Sequence, residues 1–397
     1  MRYWHVGRLL FLLAVVLQTT WYALLMTAYV RMPGKLEGAD FLTYYSVGRV
    51  AAEYGLARVY DLDLAAVAQA ETAGVPLGTQ QVLPPNHPPF LYPFLALLGR
   101  LPYRLAYFGY ALLLYGLAVA SLPVLIRTLK QSGWSPEYIG MIVVSVLLFE
   151  PFFMSVLKGQ DSALLLLGGL LWLSGWRSGD DRLAGLGLSL TLIRPQIALP
   201  LALPFLFRQR GVFGWFLIGA IGLGLYSFLQ VGWKGALDYL HILTISAGGE
   251  GYGMEEMAMF NLLGLVRRLA PEAKPMTIRS LAWGFYAMAL ISLCALWAIS
   301  KQVRLWHLAL AVNLTLLAVP HLHYHDLTLL LVPLLGVGMV GGLASRQRVR
   351  TAAALPMVVS LLLLFGELWD PTRYTVPYLL MAILPVLVWR HESNERD

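Results

Sequence analysis

Leu9-Leu-Phe-Leu-Leu-Ala-Val-Val-Leu-Gln-Thr-Thr-Trp-Tyr-Ala-Leu-Leu-Met-Thr-Ala-Tyr-Val30 runs for 22 residues without one Asp, Glu, Lys or Arg. At the rise of an α-helix, that length crosses the hydrocarbon layer of a bilayer. Charge-free or nearly charge-free runs recur at Leu105–Ile126, Tyr138–Phe149, Ser162–Trp176, Gly211–Trp233, Ser280–Ser300, Leu305–His325, Leu327–Ser345, Thr351–Gly366 and Tyr374–Trp389. None alternates with a period of two, so helices are the way these backbones satisfy their polar groups in lipid. The fold class is all-α: a polytopic membrane protein with ten expected spans, forming a single integral membrane domain over residues 1–397.

Composition agrees. Hydrophobic residues make up 58% of the chain and charged ones 13%, where a soluble domain carries about 25% charged residues. The net charge of +7 does not point to nucleic acid, because the basic residues fall in short clusters between apolar runs, as membrane topology requires. The single cysteine, Cys294, excludes an internal disulfide. The first run is too long for a signal-peptide core and lacks a small-residue cleavage site, so it reads as a retained anchor.

If the spans alternate, Arg2 and Arg8, Arg127 and Lys130, Arg177 and Arg182, Arg208 and Arg210, Lys301 and Arg304, Arg346, Arg348 and Arg350, and Arg390 share one side. The positive-inside rule makes that side cytoplasmic. Both termini are then cytoplasmic, and the two longest loops, 31–104 and 234–279, face outward. Alternation requires Leu183–Phe207 to enter and leave on one side. Arg194-Pro195 sits in its middle, and proline breaks a helix, so the segment reads as two half-helices meeting at Arg194.

Within loop 31–104, Asp40–Tyr54 and Asp61–Ala73 have helical patterns, the second opening on an Asp cap at Asp61 or Asp63. Pro84-Pro-Asn-His-Pro-Pro89 is a rigid lead into Phe90–Leu98, which is too short to span and reads as interfacial. Asp40 lies ten residues beyond the first span, beside Phe41, Tyr44 and Tyr45. It is a good helix N-cap. It is equally placed to be a general base that draws a proton from an acceptor hydroxyl at headgroup depth.

Other polar groups gather near the outward ends of spans. Lys158-Gly-Gln160-Asp161 joins two runs, and His321-Leu-His-Tyr-His325-Asp326 closes another. Arg194 lies where a charge is expensive and therefore functional or paired. Lys158, Arg194 and His323 or His325 form a set of cationic donors suited to a phosphate; snorkelling suits Lys158 but not Arg194. Metal binding by the His cluster is disfavoured, because a spacing of two places successive side chains on different faces of a helix. Gly248-Gly-Glu-Gly-Tyr-Gly253 follows no strand and reads as a connector or lid instead of a nucleotide loop. Asn261 is either a helix cap or a sugar contact, and Glu367–Pro371 reads as an ordinary turn. No catalytic triad, zinc-protease motif or phosphate-binding loop is present.

Taken in order, Asp40-Phe-Leu-Thr-Tyr-Tyr45, Gly55, Val59-Tyr-Asp61, His87-Pro-Pro-Phe-Leu-Tyr-Pro93, Lys158-Gly-Gln160, Leu183-Ala-Gly-Leu186, Ile193-Arg-Pro195 and His323-Tyr-His-Asp326 before Leu329-Leu-Leu-Val-Pro333 resemble glycosyltransferase family 87. Each motif is short; their order and spacing carry the resemblance over nearly the whole chain. It implies a GT-C-type fold with about 10–12 transmembrane helices and outer amphipathic helices bearing the catalytic Asp, at the position of Asp40. It also implies inverting transfer of a sugar, mannose by default, from a polyprenyl-phosphate donor without a nucleotide sugar. The family often carries Lys before the proline where this chain has Arg194.

On this reading Asp40 is the base, and Arg194, Lys158, His323 and His325 bind the donor phosphate. Tyr44, Tyr45, His87, Gln160 and Asn261 contact substrate. No cofactor or metal is expected, since a phosphate leaving group needs no acid. The partners are the lipid-borne donor, a glycolipid or glycan acceptor and membrane lipids, with no nucleic acid. The site faces the outside of the plasma (inner) membrane. A transporter or flippase for a lipid-linked or anionic substrate is the alternative, prompted by the broken helix at Arg194.

Overall fold

The computed structural model describes residues 2–32, 34–36, 40–76, 81–248, 255–339, 346–369 and 373–393. Among these the regular structure is entirely helical. Five helices are long and apolar enough to cross a membrane: α1 (Arg2–Arg31), α5 (Tyr103–Gln131), the pair α6 (Pro136–Leu147) and α7 (Glu150–Lys158), α11 (Arg210–Gly248) and α13 (Pro275–Ile299). Shorter apolar helices fill the bundle between them. The molecule is a multi-pass, all-α membrane protein.

The loop after α1 contributes α2 (Phe41–Tyr54), α3 (Leu62–Ala73) and α4 (Tyr92–Leu98). Asp61, not Asp63, caps α3: its side chain accepts from the N–H groups of Asp63 and Leu64. Close backbone approach holds α2 on α4. A Cβ on Gly48 would strike the carbonyl of Leu95, and one on Gly99 would strike the backbone at Gly48.

Beyond α5, α6 and α7 the chain enters α8 (Ser162–Ser178), turns at Gly179 with φ +71°, and returns as α9 (Asp181–Leu190). Small residues let α8 and α9 pack backbone to backbone: Gly175 faces Ala184, and Gly168 faces Gly187. A 3-10 turn over Thr191–Ile193 leads to Arg194, whose φ −126° and ψ 84° interrupt the helix. Pro195 then opens α10 (Pro195–Ala202) at the position where its missing N–H costs nothing. The two arms thus meet at Arg194. Gln209, at the far end of the return arm, accepts from the Trp176 indole at 3.1 Å, so the segment goes up to Arg194 and comes back.

α11 is broken at Gly232, φ +66°. After α12 (Leu262–Leu269) and α13, α14 (Leu305–Ala318) ends at Val319, several residues before the boundary that hydrophobicity suggests. The His segment is therefore an extended strap that passes into a 3-10 helix over Tyr324–Leu330 and then α15 (Leu331–Met339). The chain closes with α16 (Arg346–Leu368) and α17 (Thr375–Ser393). Trp172, Phe205 and Trp297 stack edge to face in the core. Gly249–Gly253 lie outside the described residues, so the expected connector or lid is not described.

Candidate active site

Four breaks in helical structure converge at one end of the bundle: the start of α2, the α7–α8 junction, the Arg194 apex and the His strap. They enclose a cavity of about 640 Å³. Asp40, Tyr44, His87, Lys158, Gln160, Arg194, His323 and His325 all line it.

The α7–α8 junction is built around Gly159. Its φ of +73° gives α7 a left-handed stop, and a Cβ there would collide with Phe41. Phe41 is fully buried among Tyr45, Tyr103, Tyr107 and Tyr110. The bare glycine thus lets the junction close onto the first turn of α2, bringing Gln160 beside Asp40. The Gln160 amide donates to Oδ2 of Asp40 at 2.9 Å. Asp40 makes no side-chain capping bond to α2.

Arg194 is buried and heavily committed. Its Nη2 lies 2.8 Å from Oδ1 of Asp161, and Nη1 donates to Oδ2 of Asp161 at 3.3 Å. Nη2 also donates to Oε1 of Gln160 at 3.2 Å, while Nε lies 3.5 Å from Asp326. A cation that approaches both oxygens of one carboxylate in this way suits a guanidinium and would not survive unchanged with lysine. Asp161 was legible only as part of the Lys158–Asp161 junction. The signal that finds it is the cost of Arg194 itself, since a buried cation needs a buried acid.

His87 meets the same pair. Its Nδ1 is 2.7 Å from Arg194 Nη1 and 3.1 Å from Asp161 Oδ2. Burial, opposed by Asp161, pushes the His87 pKa down. In the tautomer with its proton on Nε2, Nδ1 accepts from Arg194. The ring stacks on Tyr44 at 4.6 Å. Its carbonyl accepts from the hydroxyls of Tyr60 and Tyr92, each at 2.8 Å, so the Pro-rich segment is clamped and not merely stiff.

On the strap, burial pushes His321 and His323 down to about 3. They offer neutral N–H groups, a change from the cationic donors expected. His325 is buried, 3.7 Å from Asp326, and lies in the field of Arg194, Asp40, Asp161 and Lys158. Lys158 is exposed at the C-terminus of α7 and forms no ion pair among the described residues. It is the available cation on this wall, where Arg194 is already matched by carboxylates. Among the described residues no group of three or more His, Cys, Asp or Glu is disposed to hold a metal.

Two expected substrate contacts face elsewhere. The Tyr45 hydroxyl donates to the Leu101 carbonyl at 2.8 Å, and its ring packs edge-on against Tyr103. Asn261 is fully buried and caps α12, accepting from the Gly264 N–H and donating to the Val319 carbonyl at 2.6 Å. Glu367 is more than a turn residue. It lies in the last turn of α16, accepts from Arg373 at 3.1 Å, and both line the cavity. The cavity wall carries another buried acid, Glu256, paired with Arg279 and Arg267.

The profile of Glycosyltransferase family 87 matches residues 86–320, more than half of the 397-residue chain. The chain belongs to glycosyltransferase family 87. The matched stretch includes His87, Lys158, Gln160, Asp161 and Arg194; Asp40 and the strap residues from His321 onward fall outside it. No curated protein and no solved structure gives a significant match. Family membership makes this protein a membrane glycosyltransferase with a sugar donor and an acceptor, and sets the transporter alternative aside.

Proposed function

We propose that this family 87 glycosyltransferase moves a hexose, mannose by default, from a polyprenyl-phosphate donor to a hydroxyl of a glycolipid or glycan, with inversion. One observation carries the reading: the Asp40 carboxylate, unused by its own helix, opens into the same cavity as the ammonium of Lys158, which has no ion pair among the described residues. A base and an anion site lining one cavity, acting from opposite faces of a sugar bound between them, are what a direct displacement with inversion requires.

The acceptor oxygen gives its proton to Asp40 and forms the new bond to the anomeric carbon. The bond from that carbon to the phosphate oxygen breaks, and polyprenyl phosphate leaves with the electron pair. Lys158 meets the growing charge as a cation, while His323 and His325 add N–H donors. Arg194, matched by Asp161 and Asp326, serves the phosphate less directly than its charge alone suggests. The isoprenoid tail stays in the bilayer and the site opens to the outer face of the plasma membrane, in keeping with the basic inner loops.

The test uses purified protein with a panel of radiolabelled polyprenyl-phosphate hexoses and alkyl glycoside acceptors. Release of polyprenyl phosphate together with a labelled glycoside of inverted anomeric configuration is the expected result. Retention of configuration, or inactivity with every donor in the panel, overturns the reading. Lys158→Met should raise the donor KM by at least tenfold.

A further inference from the structure

We propose that Gln160 is a positioning residue that leaves Asp40 with one free basic oxygen, Oδ1. The inference rests on the reading of Asp40 as the base. It replaces the expectation that Gln160 contacts substrate.

The orientation of the Gln160 amide follows from its neighbours. Its Oε1 receives two hydrogen bonds, from Arg194 Nη2 at 3.2 Å and from the Tyr44 hydroxyl at 3.4 Å. A guanidinium can only donate. Reversing the amide would set two donors face to face and turn a carbonyl oxygen onto a carboxylate. The NH2 group must therefore point to Asp40, where it lies 2.9 Å from Oδ2.

Every support behind that amide is itself fixed. Arg194 is held in a buried two-point pair with Asp161. The main chain of Gln160 is pinned at both ends by Ser155: its N–H donates to the Ser155 carbonyl at 2.7 Å, and its own carbonyl accepts from the Ser155 hydroxyl at 2.9 Å. Gly159, just before Gln160, itself takes the left-handed conformation the junction needs.

The choice of a neutral donor has a chemical consequence. An arginine on Asp40 would fix the carboxylate equally well but would also lower its basicity. Among the described residues Asp40 has no ion pair, and its side-chain hydrogen bond comes from Gln160 alone. The positive charge of Arg194 is instead consumed by Asp161 and relayed to Asp40 only as the geometry of an amide. Asp40 is thus oriented without being neutralised.

The test compares wild type, Gln160→Met and Gln160→Glu with the polyprenyl-phosphate hexose that turns over in the donor panel, across a range of pH. Gln160→Met keeps the volume and removes the donor. Its kcat should fall by about 10–100-fold with the donor KM within twofold. The pH profile of its kcat/KM should differ in shape from that of wild type, because the amide that orients Asp40 is gone.

Gln160→Glu keeps the acceptor for Arg194 but makes two carboxylates share one proton. It should add an alkaline limb absent from wild type as that proton leaves and the pair repels. A raised KM with unchanged kcat in Gln160→Met would make Gln160 a substrate contact and overturn the proposal. So would pH profiles of both variants that superimpose on wild type while Asp40→Asn is inactive. A turnover of Asp40→Asn equal to wild type would remove the underlying reading as well. If Gln160→Met does not purify as a monodisperse protein, the Gln160→Glu profile decides.

Discussion

Two aspartates open helices in the same loop, and they have opposite fates. Asp61 stands in extended backbone, φ −76° and ψ 109°, the conformation that lets an N-cap side chain reach back to the first turn. Its Oδ1 accepts from two helix N–H groups, and Oδ2 accepts from Arg58 at 2.6 Å. Asp40 is already helical, φ −59° and ψ −22°, and makes no such bond. Its carboxylate goes to Gln160, 120 residues along the chain. The same residue type at the same local position is consumed by its helix in one case and left for the cavity in the other. Backbone conformation makes the difference.

The most direct way to break that contrast is Asp40→Asn. Transfer should fall by about 10²–10⁴-fold, while the midpoint of thermal unfolding in detergent stays within a degree or two, because neither a cap nor an ion pair is lost. A variant that lost stability as a cap mutant does would show Asp40 to be another Asp61. Radiolabelled turnover and a melting curve on the same preparation decide between the two.

Arg194 supports the Asp40 side of the contrast from behind. Arg194→Ala leaves Asp161 buried without its main counter-charge, a loss of about 3–5 kcal/mol. Replacing the closest pair, Arg194→Met with Asp161→Leu, should recover part of that stability in a denaturation series, Asp326 still being left without its cation, and none of the activity. Recovery of activity in the double variant would mean that the ion pair has no part in placing Gln160.

Much of this was readable beforehand, and what was not has a common cause. The apolar runs place the helices well, because burial in lipid depends on composition over about 20 residues. The break at Arg194 was legible from one dipeptide. The partners of Arg194 were less so: Asp161 and Asp326 sit in view beside Gln160 and His325, but nothing local says which acid meets which base. Asn261 and Tyr45 went astray for a related reason. A buried polar side chain is satisfied by the nearest backbone group unless tertiary packing turns it away, and both found backbone carbonyls, of Val319 and Leu101. The ionisation of the strap was hidden too: burial holds the pKa values of His321 and His323 down, and that enclosure is not visible in the sequence.

Gly159→Ala sharpens the comparison from the other side of the contact. A positive φ with a Cβ costs roughly 1–2 kcal/mol, and here the added carbon also meets Phe41. The junction must open, drawing Gln160 from Asp40. The variant should lose activity beyond its loss of stability. At a temperature where it is fully folded, kcat should approach that of Gln160→Met, and its pH profile should change in the same way. An unchanged kcat in the folded variant would show that Asp40 needs no help from the α7–α8 junction.

The smallest effect belongs to the ordinary member of the pair. Asp61→Ala removes a cap worth about 1 kcal/mol, and α3 supplies no residue to the cavity wall, so turnover should remain within twofold of wild type. The pH dependence gives the loss a signature. Burial works against ionisation of Asp61, yet Arg58 and the N–H groups of Leu64 and Asp63 hold its pKa below the ordinary value. The unfolded carboxyl takes up its proton first as pH falls through about 4. The stabilisation is therefore whole above that pH and fades below it. The difference in unfolding midpoint between wild type and Asp61→Ala should shrink on acidification. A difference that held constant down to pH 3 would mean that Asp61 acts by shape and not by charge, and the contrast with Asp40 would then rest on position alone.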